Sequence, residues 1–279
     1  MKRILFAALA ALALSLGIPG EVRAQVEGPV APPPKFEVKR IPTKPNPEAP
    51  PMPEAEIIRQ FTQHEDQSKR AYDSYSFEQT VRVQELGEGG GPAGEFSVTG
   101  EFYTKPDGQR YERIVKPPSS TLRRTAFSLE DVQELARLPL FVLTTEELPG
   151  YTLTYEGQEK LDELNTYIFL VKPKQVERKR LHFDGVVWVD DHDLAIVKSY
   201  GQFVTDVAGE ATKLPFKMFE TYRENFQQKY WFPTYIRSDD METLEKTQLR
   251  LRLVVRSTNF QAPATAGAST TATKPNPPQ

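Results

Sequence analysis

The chain contains no cysteine. That excludes a disulfide framework, a thiolate metal site, a cysteine nucleophile and a lipid-modified N-terminal Cys. Histidine is nearly as scarce, at three residues, His64, His182 and His192. Neither an HExxH zinc helix nor a Gly-x-Ser-x-Gly nucleophile elbow is present. A basic excess is also missing: 35 Lys and Arg stand against 38 Asp and Glu, a net charge of −3. A nucleic-acid partner normally needs the opposite balance, so it is excluded from the expected partners. After Ile18 no apolar run approaches the roughly 20 residues of a membrane span.

What is present begins with an export signal. Lys2 and Arg3 precede the apolar run from Ile4 to Ile18, and Val22-Arg23-Ala24 offers a cleavage site after Ala24. The expectation is a periplasmic protein with residues 1–24 removed. Losing Lys2, Arg3, Arg23 and Glu21 leaves 32 basic and 37 acidic residues, or −5. Residues 25–53 form a Pro-rich linker with ten prolines and no apolar period. Proline fixes its own φ and keeps its predecessor out of the helical region, so the arm is extended. Residues 261–279 form a polar tail, expected to be disordered. Its Thr273-Lys274-Pro275-Asn276-Pro277 echoes Thr43-Lys44-Pro45-Asn46-Pro47, an echo attributed to composition.

Between these tails, residues 54–260 are long enough for one sizeable core. Glu54 to Ser74 predicts a helix, because Ile57, Phe61, His64, Ser68 and Ala71 or Tyr72 recur at spacings of three and four. The stripe weakens after Phe61, which predicts packing by one end. Strand periodicity follows. Arg180 to Gly201 reads as two strands joined by a tight polar turn: Leu181, Phe183, Val187 and Val189 alternate on the way in, Leu194, Ile196 and Tyr200 on the way out. Pro106-Asp107-Gly108 predicts a turn, and Pro117-Pro118 a strand end. Ser128 to Leu138 predicts a second helix, with Ser128 as cap and Asp131 three residues on. About ten strands in all predict a mainly β (α+β) fold, in which a large antiparallel sheet must curl or close.

Chemistry is sparse. His64 reads as a half-buried helix residue. Asp190, Asp191, His192 and Asp193 bring carboxylates and an imidazole together, but they lack the ligand spacing and glycine of a calcium loop. Asp is also a usual turn residue, and the turn reading is adopted. Gly89-Gly90-Gly91 lacks the Lys-Ser/Thr of a phosphate loop. Glu146-Glu147 and Asp239-Asp240 read as solvated loop pairs. Arg250, Arg252 and Arg256 read as the outer face of an edge strand. No catalytic residue, metal site or cofactor is predicted.

Three segments resemble one family. Tyr72-Asp73-Ser74-Tyr75-Ser76-Phe77-Glu78-Gln79-Thr80 carries a helix into a strand. Tyr151-x-Leu153-x-Tyr155-x-Gly157-x-Glu159 precedes an apolar strand ending in Lys172-Pro173. Trp188-Val189-Asp190 precedes a turn and Ile196-Val197-Lys198. In order and spacing these resemble the LolA/LolB-like outer-membrane lipoprotein-sorting superfamily across roughly residues 54–260. The resemblance implies a strongly curved antiparallel sheet forming an unclosed barrel, with an N-terminal helix and a helical lid segment. It also implies a non-enzymatic carrier or binder of a lipid, or of the acyl chain of a lipoprotein, in an apolar cavity. Candidate lining residues are Phe96, Val98, Phe102, Phe169, Val187, Val189, Phe216 and Met218, with Leu135, Leu138 and Phe141 as lid. The alternatives are an envelope protein-interaction or stress-sensing module with a protein partner, and a hydrolase with a dispersed site.

Overall fold

The computed structural model describes residues 45–105, 109–136, 138–177, 180–205, 216–244 and 247–263. The expected export signal, the expected arm up to residue 44, the expected turn at residues 106–108 and the expected tail from residue 264 lie outside these residues. Helix α1 (Glu54–Ser74) leads into β1 (Ser76–Leu86), β2 (Pro92–Thr104) and β3 (Arg110–Ser120). A long connection carrying α2 (Leu129–Ala136) then leads to β4 (Tyr151–Leu161). β5 (Leu164–Pro173), β6 (His182–Asp190), β7 (Ile196–Val204), β8 (Met218–Phe226), β9 (Tyr230–Leu244) and β10 (Thr247–Gln261) complete the chain.

These strands form one ten-stranded antiparallel sheet in the order β3-β2-β1-β10-β9-β8-β7-β6-β5-β4. Each strand pairs with a sequence neighbour, except that β10 returns to pair with β1. β3 and β4 stand at opposite ends of the order, so the sheet is not closed. The connection from residue 121 to residue 150 must therefore run from one free edge to the other. We call it the strap.

The face covered by α1 and the strap is the inner face. Period-two alternation sends Phe96 and Val98 of β2, Val81 and Val83 of β1, and Leu249, Leu251, Leu253 and Val255 of β10 into one inner cluster. Phe169, Val187, Val189 and Ile196 enter another beneath Ile57 and Phe61 of α1. A third gathers Tyr72, Tyr75, Phe77, Phe141 and Phe232. The outer face has its own cluster, where Ile168, Trp188, Val197 and Trp231 meet.

Four expectations change. α1 is buried along its length, through Ile57, Phe61, Thr62, Glu65, Ser68 and Tyr72. The stripe looked weak past Phe61 because a charged residue, Glu65, occupies it. β3 runs past Pro117 and Pro118 to Ser119↔Ser97 and Ser120↔Phe96. An edge strand tolerates prolines because one of its sides has no ladder to break. β10 is central, so Arg250, Arg252 and Arg256 lie on the outer face of an interior strand. Asp239 belongs to β9 and pairs with Arg237 and Arg252, at 2.5 and 2.7 Å.

Two local devices shape the sheet. Gly185 and Gly201 pair directly across β6 and β7. A Cβ on Gly185 would stand 2.3 Å from the Tyr200 carbonyl oxygen and 2.7 Å from the Phe183 ring. The Phe183 ring thus covers the space that both glycines leave. At the far edge, Asn46 forms a single antiparallel bridge to Gln158 of β4, exchanging two N–H···O bonds of 2.8 Å.

Candidate functional site

The strap lies across the inner face. It is bonded at its two ends, through Thr121 N–H to the Glu95 carbonyl at 2.7 Å and Glu147 to Arg180 at 2.5 Å, and tied between them to β1, β8 and α1. At its start, Glu85 of β1 is buried and accepts the backbone N–H groups of Arg123, Arg124 and Thr125 at 2.7–3.1 Å. Burial alone would raise the Glu85 carboxyl, but these N–H groups outweigh it and hold it below the usual carboxylate range. Next comes α2, opened by a reciprocal cap: Ser128 N–H donates to Asp131 Oδ2 at 2.7 Å, and Asp131 N–H to Ser128 Oγ at 3.3 Å.

In mid-strap, Leu140 offers its carbonyl oxygen to Arg223 Nη2 at 2.9 Å. Arg223 is also paired with Glu65 of α1, through Nη1–Oε2 at 2.5 Å and Nη2–Oε1 at 2.9 Å. Both side chains are 1% exposed. The Phe141 ring sits 4.9 Å from the same guanidinium. One buried ion pair thereby joins α1, β8 and the strap. Near the strap's end, Thr145 donates its N–H and hydroxyl to Asp66 of α1, at 3.1 and 2.5 Å.

Between these ties the contact is apolar. Leu135, Leu138, Phe141, Val142 and Leu143 are buried against the inner clusters. Beneath them lies a cavity of about 20 Å³ lined by Leu138, Leu140 and Val142 above and by Phe183, Phe203, Phe219 and Ile236 below. Ser199 and Thr221, paired across β7 and β8, give its floor two hydroxyls. That volume holds about one water molecule. With the strap in this position the space has no room for an acyl chain.

The sequence-derived candidates divide among the clusters. Phe96, Val98 and Phe216 share one with Leu135 and Leu138. Phe169, Val187 and Val189 share another with α1. Phe102, half-buried, stacks on Phe77 with ring centroids 5.1 Å apart, in the cluster that holds Phe141. Met218 is out of phase. It pairs with Gln202, while its neighbour Phe219 enters the inner cluster, so Phe219 takes the place assigned to Met218. Residues 206–215 fall outside the description, and the strand phase begins afresh after them. Sequence reasoning missed Glu65 and Arg223. The available signal was a lone acid in an otherwise apolar helical stripe.

Titratable groups outside the inner face serve the fold. Asp190, His192 and Asp193 place donor atoms within 4.8 Å of one another, the arrangement a cation would use. Their bonds are those of a turn: Asp190 Oδ2 accepts the Asp193 N–H at 2.6 Å, and Asp193 Oδ2 accepts Asn225 Nδ2 and Trp231 Nε1 at 2.9 and 3.0 Å. Burial raises the Asp190 carboxyl, and the nearby Asp193 and Asp191 carboxylates add to the shift. On the outer face Lys198 is paired with Glu220 at 2.7 Å and lies 4.8 and 4.7 Å from the Trp188 and Tyr222 rings. His64 is half-buried, with Nδ1 2.9 Å from the Leu194 carbonyl oxygen.

Taken together, these features define an unclosed antiparallel half-barrel with an apolar inner face and a strap across it. No family model matches the chain, and no curated protein matches it. Among solved structures, it is similar to the LolA superfamily protein NE2245 from Nitrosomonas europaea, at 14% identity and a TM-score of 0.36, over 75% of this chain and 93% of that one. It is also similar to a DUF1329 family protein from Desulfovibrio piger, at 12% identity and a TM-score of 0.34, over 74% and 93%. A chain of the Pseudomonas aeruginosa MucA/MucB complex matches at 11% identity and a TM-score of 0.23, over 75% and 99%. Likenesses at these TM-scores are distant, and the half-barrel is defined by its own strand order.

Proposed function

We propose that the protein is a non-enzymatic periplasmic carrier or binder of a lipid or acylated lipoprotein, with the strap as an exchangeable cover over the inner face. The observation that carries this reading is the strap itself. It buries five large apolar side chains on an apolar sheet face, yet it joins no strand ladder there and is held by a few polar ties. Fully burying five such side chains is worth about 8–15 kcal/mol. An acyl chain of about 14–16 carbons brings about 11–13 kcal/mol, at about 0.8 kcal/mol per CH₂. The two occupants are nearly matched, so one can replace the other without a chemical step. The residues that would meet the acyl chain are Phe96, Val98, Phe102, Phe169, Val187, Val189 and Phe216, joined by Phe219, with Leu135, Leu138 and Phe141 moving away.

Native mass spectrometry of protein purified from the periplasm tests this, before and after delipidation and re-exposure to acyl lipid. Bound acyl species that return after delipidation are expected. A protein that stays lipid-free at saturating acyl ligand would overturn the proposal. A second reading, an envelope protein-interaction module, draws on β3. This edge strand leaves Ile114 and Val115 42% and 44% exposed, and an incoming partner strand could pair there. Cross-linking from β3 to a stable protein partner, in a protein that takes up no lipid, would favour it.

A further inference from the structure

The two free edges of the sheet are treated differently. Among the described residues no segment pairs with the free edge of β3, whereas β4 is met by the chain's own segment around Asn46. The contacts there are almost all backbone. Asn46 N–H donates to the Gln158 carbonyl oxygen and Gln158 N–H to that of Asn46, both at 2.8 Å. The Tyr155 hydroxyl donates to the Glu48 carbonyl oxygen at 2.9 Å. Gly157, at φ +130°, leaves the space that Asn46 fills: a Cβ there would stand 2.3 Å from the Asn46 carbonyl oxygen. Pro45 and Pro47 flank the bridge at positions whose backbone groups face away from β4, so their missing N–H groups cost it no hydrogen bond. The edge therefore recognises an N–H and two carbonyls set between prolines.

The same five residues, Thr-Lys-Pro-Asn-Pro, stand at 43–47 and again at 273–277. In sequence, Asn276 of the second copy corresponds to Asn46, which supplies the N–H and the first carbonyl, and Pro278 to Glu48, which supplies the second. Pro278 lacks a counterpart for two bonds that lie within the segment itself, Asn46 Nδ2 to Glu48 Oε2 at 3.2 Å and Glu48 N–H to Asn46 Oδ1 at 3.4 Å. The register of β10 through β4 puts Gln261 and Gln158 at the same rim of the sheet. Six strand spacings separate β10 from β4, about 29 Å along the sheet. The 15 residues from Gln261 to Asn276 span up to about 50 Å when extended. We infer that the β4 edge at Tyr155–Gln158 is a docking site for a Lys-Pro-Asn-Pro segment, and that the C-terminal copy of the same chain competes for it with the copy around Asn46. Occupation by the tail releases the Pro-rich arm from the sheet.

Because the chain has no cysteine, an engineered pair reports on one contact alone. The full chain carrying Gln158→Cys and Asn276→Cys is expected to form an intrachain disulfide. Adding Asn46→Pro, which removes the competing N–H, should speed that bridge several-fold, and scrambling residues 273–277 around the cysteine should abolish it. A second measurement leaves Pro out of position 46. In an Asn46→Cys/Gln158→Cys chain, bridging should accelerate several-fold when residues 273–277 are scrambled. No bridge at 276, or bridging rates indifferent to both the Asn46→Pro change and the scrambling, would overturn the inference. A disulfide-linked dimer would overturn docking within one chain.

Discussion

Breaking the Glu65–Arg223 pair tests how the inner face is assembled. Glu65→Gln keeps the shape of the side chain and removes its charge. Arg223 then stays at 1% exposure with two neutral acceptors, the new amide oxygen and the Leu140 carbonyl, in place of a countercharge. Its Nε is already buried without a hydrogen-bond partner. Removing one partner of a buried pair costs about 3–5 kcal/mol, because the other charge is left without compensation. For a urea slope of about 2–3 kcal/mol/M, that moves the unfolding midpoint down by about 1–2.5 M. Arg223→Met should cost a similar amount by stranding the carboxylate. The double change Glu65→Leu/Arg223→Met removes both charges and restores apolar volume, which is often neutral or stabilising by about 1–4 kcal/mol. Trp188 and Trp231 lie on the outer face, so their fluorescence follows unfolding without direct contact with the pair. Single changes costing under about 1 kcal/mol, or a double as damaging as the sum of the singles, would refute the reasoning, since a coupled pair cannot behave additively.

Three further outcomes are expected from the geometry. Glu85→Gln should destabilise the protein at pH 7 by about 1.5–3 kcal/mol, the worth of hydrogen bonds to a charged group. The Glu85 carboxyl is held below its ordinary 4.5, so its stabilisation is complete above that value and is lost as pH falls through the folded value; urea midpoints of the two proteins should converge as pH falls below the ordinary carboxylate range. Gly185→Ala puts a methyl 2.5 Å from the Gly201 Cα, and separating β6 from β7 should cost about 1–3 kcal/mol in the same assay. Gly157→Ala should unseat Asn46 and cost about 1–3 kcal/mol of backbone strain, with the Gln158 amide exchanging its hydrogen much faster.

The strands were legible because period-two alternation is a local signal, and Leu249 to Val255 or Phe183 to Val189 carry it within seven residues. Strand order was not. The sequence pattern of β10 is that of any half-buried strand, and only its return to β1 makes it interior. Local propensity also misjudged Pro117 and Pro118, since their tolerance depends on β3 being an edge, a property of the whole sheet. The Phe102 and Phe169 positions were readable from phase within uninterrupted strands, whereas Met218 was misplaced where phase had to be carried across a connection. Glu65 was invisible for a different reason. Its partner lies 158 residues away, and a charge in an apolar stripe reads as a weak helix until that partner is known.

The topology explains why the cover and the sheet are separable. A sheet that starts in its middle, at β1, and builds outward to β3 must cross to β4 to build the other half, and the crossing residues have no strand to join. They satisfy part of their backbone locally, in α2 and in turns, and part through side chains such as Glu85, Asp66 and Arg223, while their apolar residues fill the inner face. Each of those ties is polar and sits at the margin or on one buried pair, whereas the covered surface between them is apolar. An apolar molecule can therefore compete for the covered surface and leave the strap's anchors at Glu85 and Asp66 in place. That division follows from connectivity rather than from any one residue. It predicts that substitutions at Leu135, Leu138 or Phe141 shift the balance between covered and uncovered states, and that substitutions at Glu85 loosen the strap as a whole.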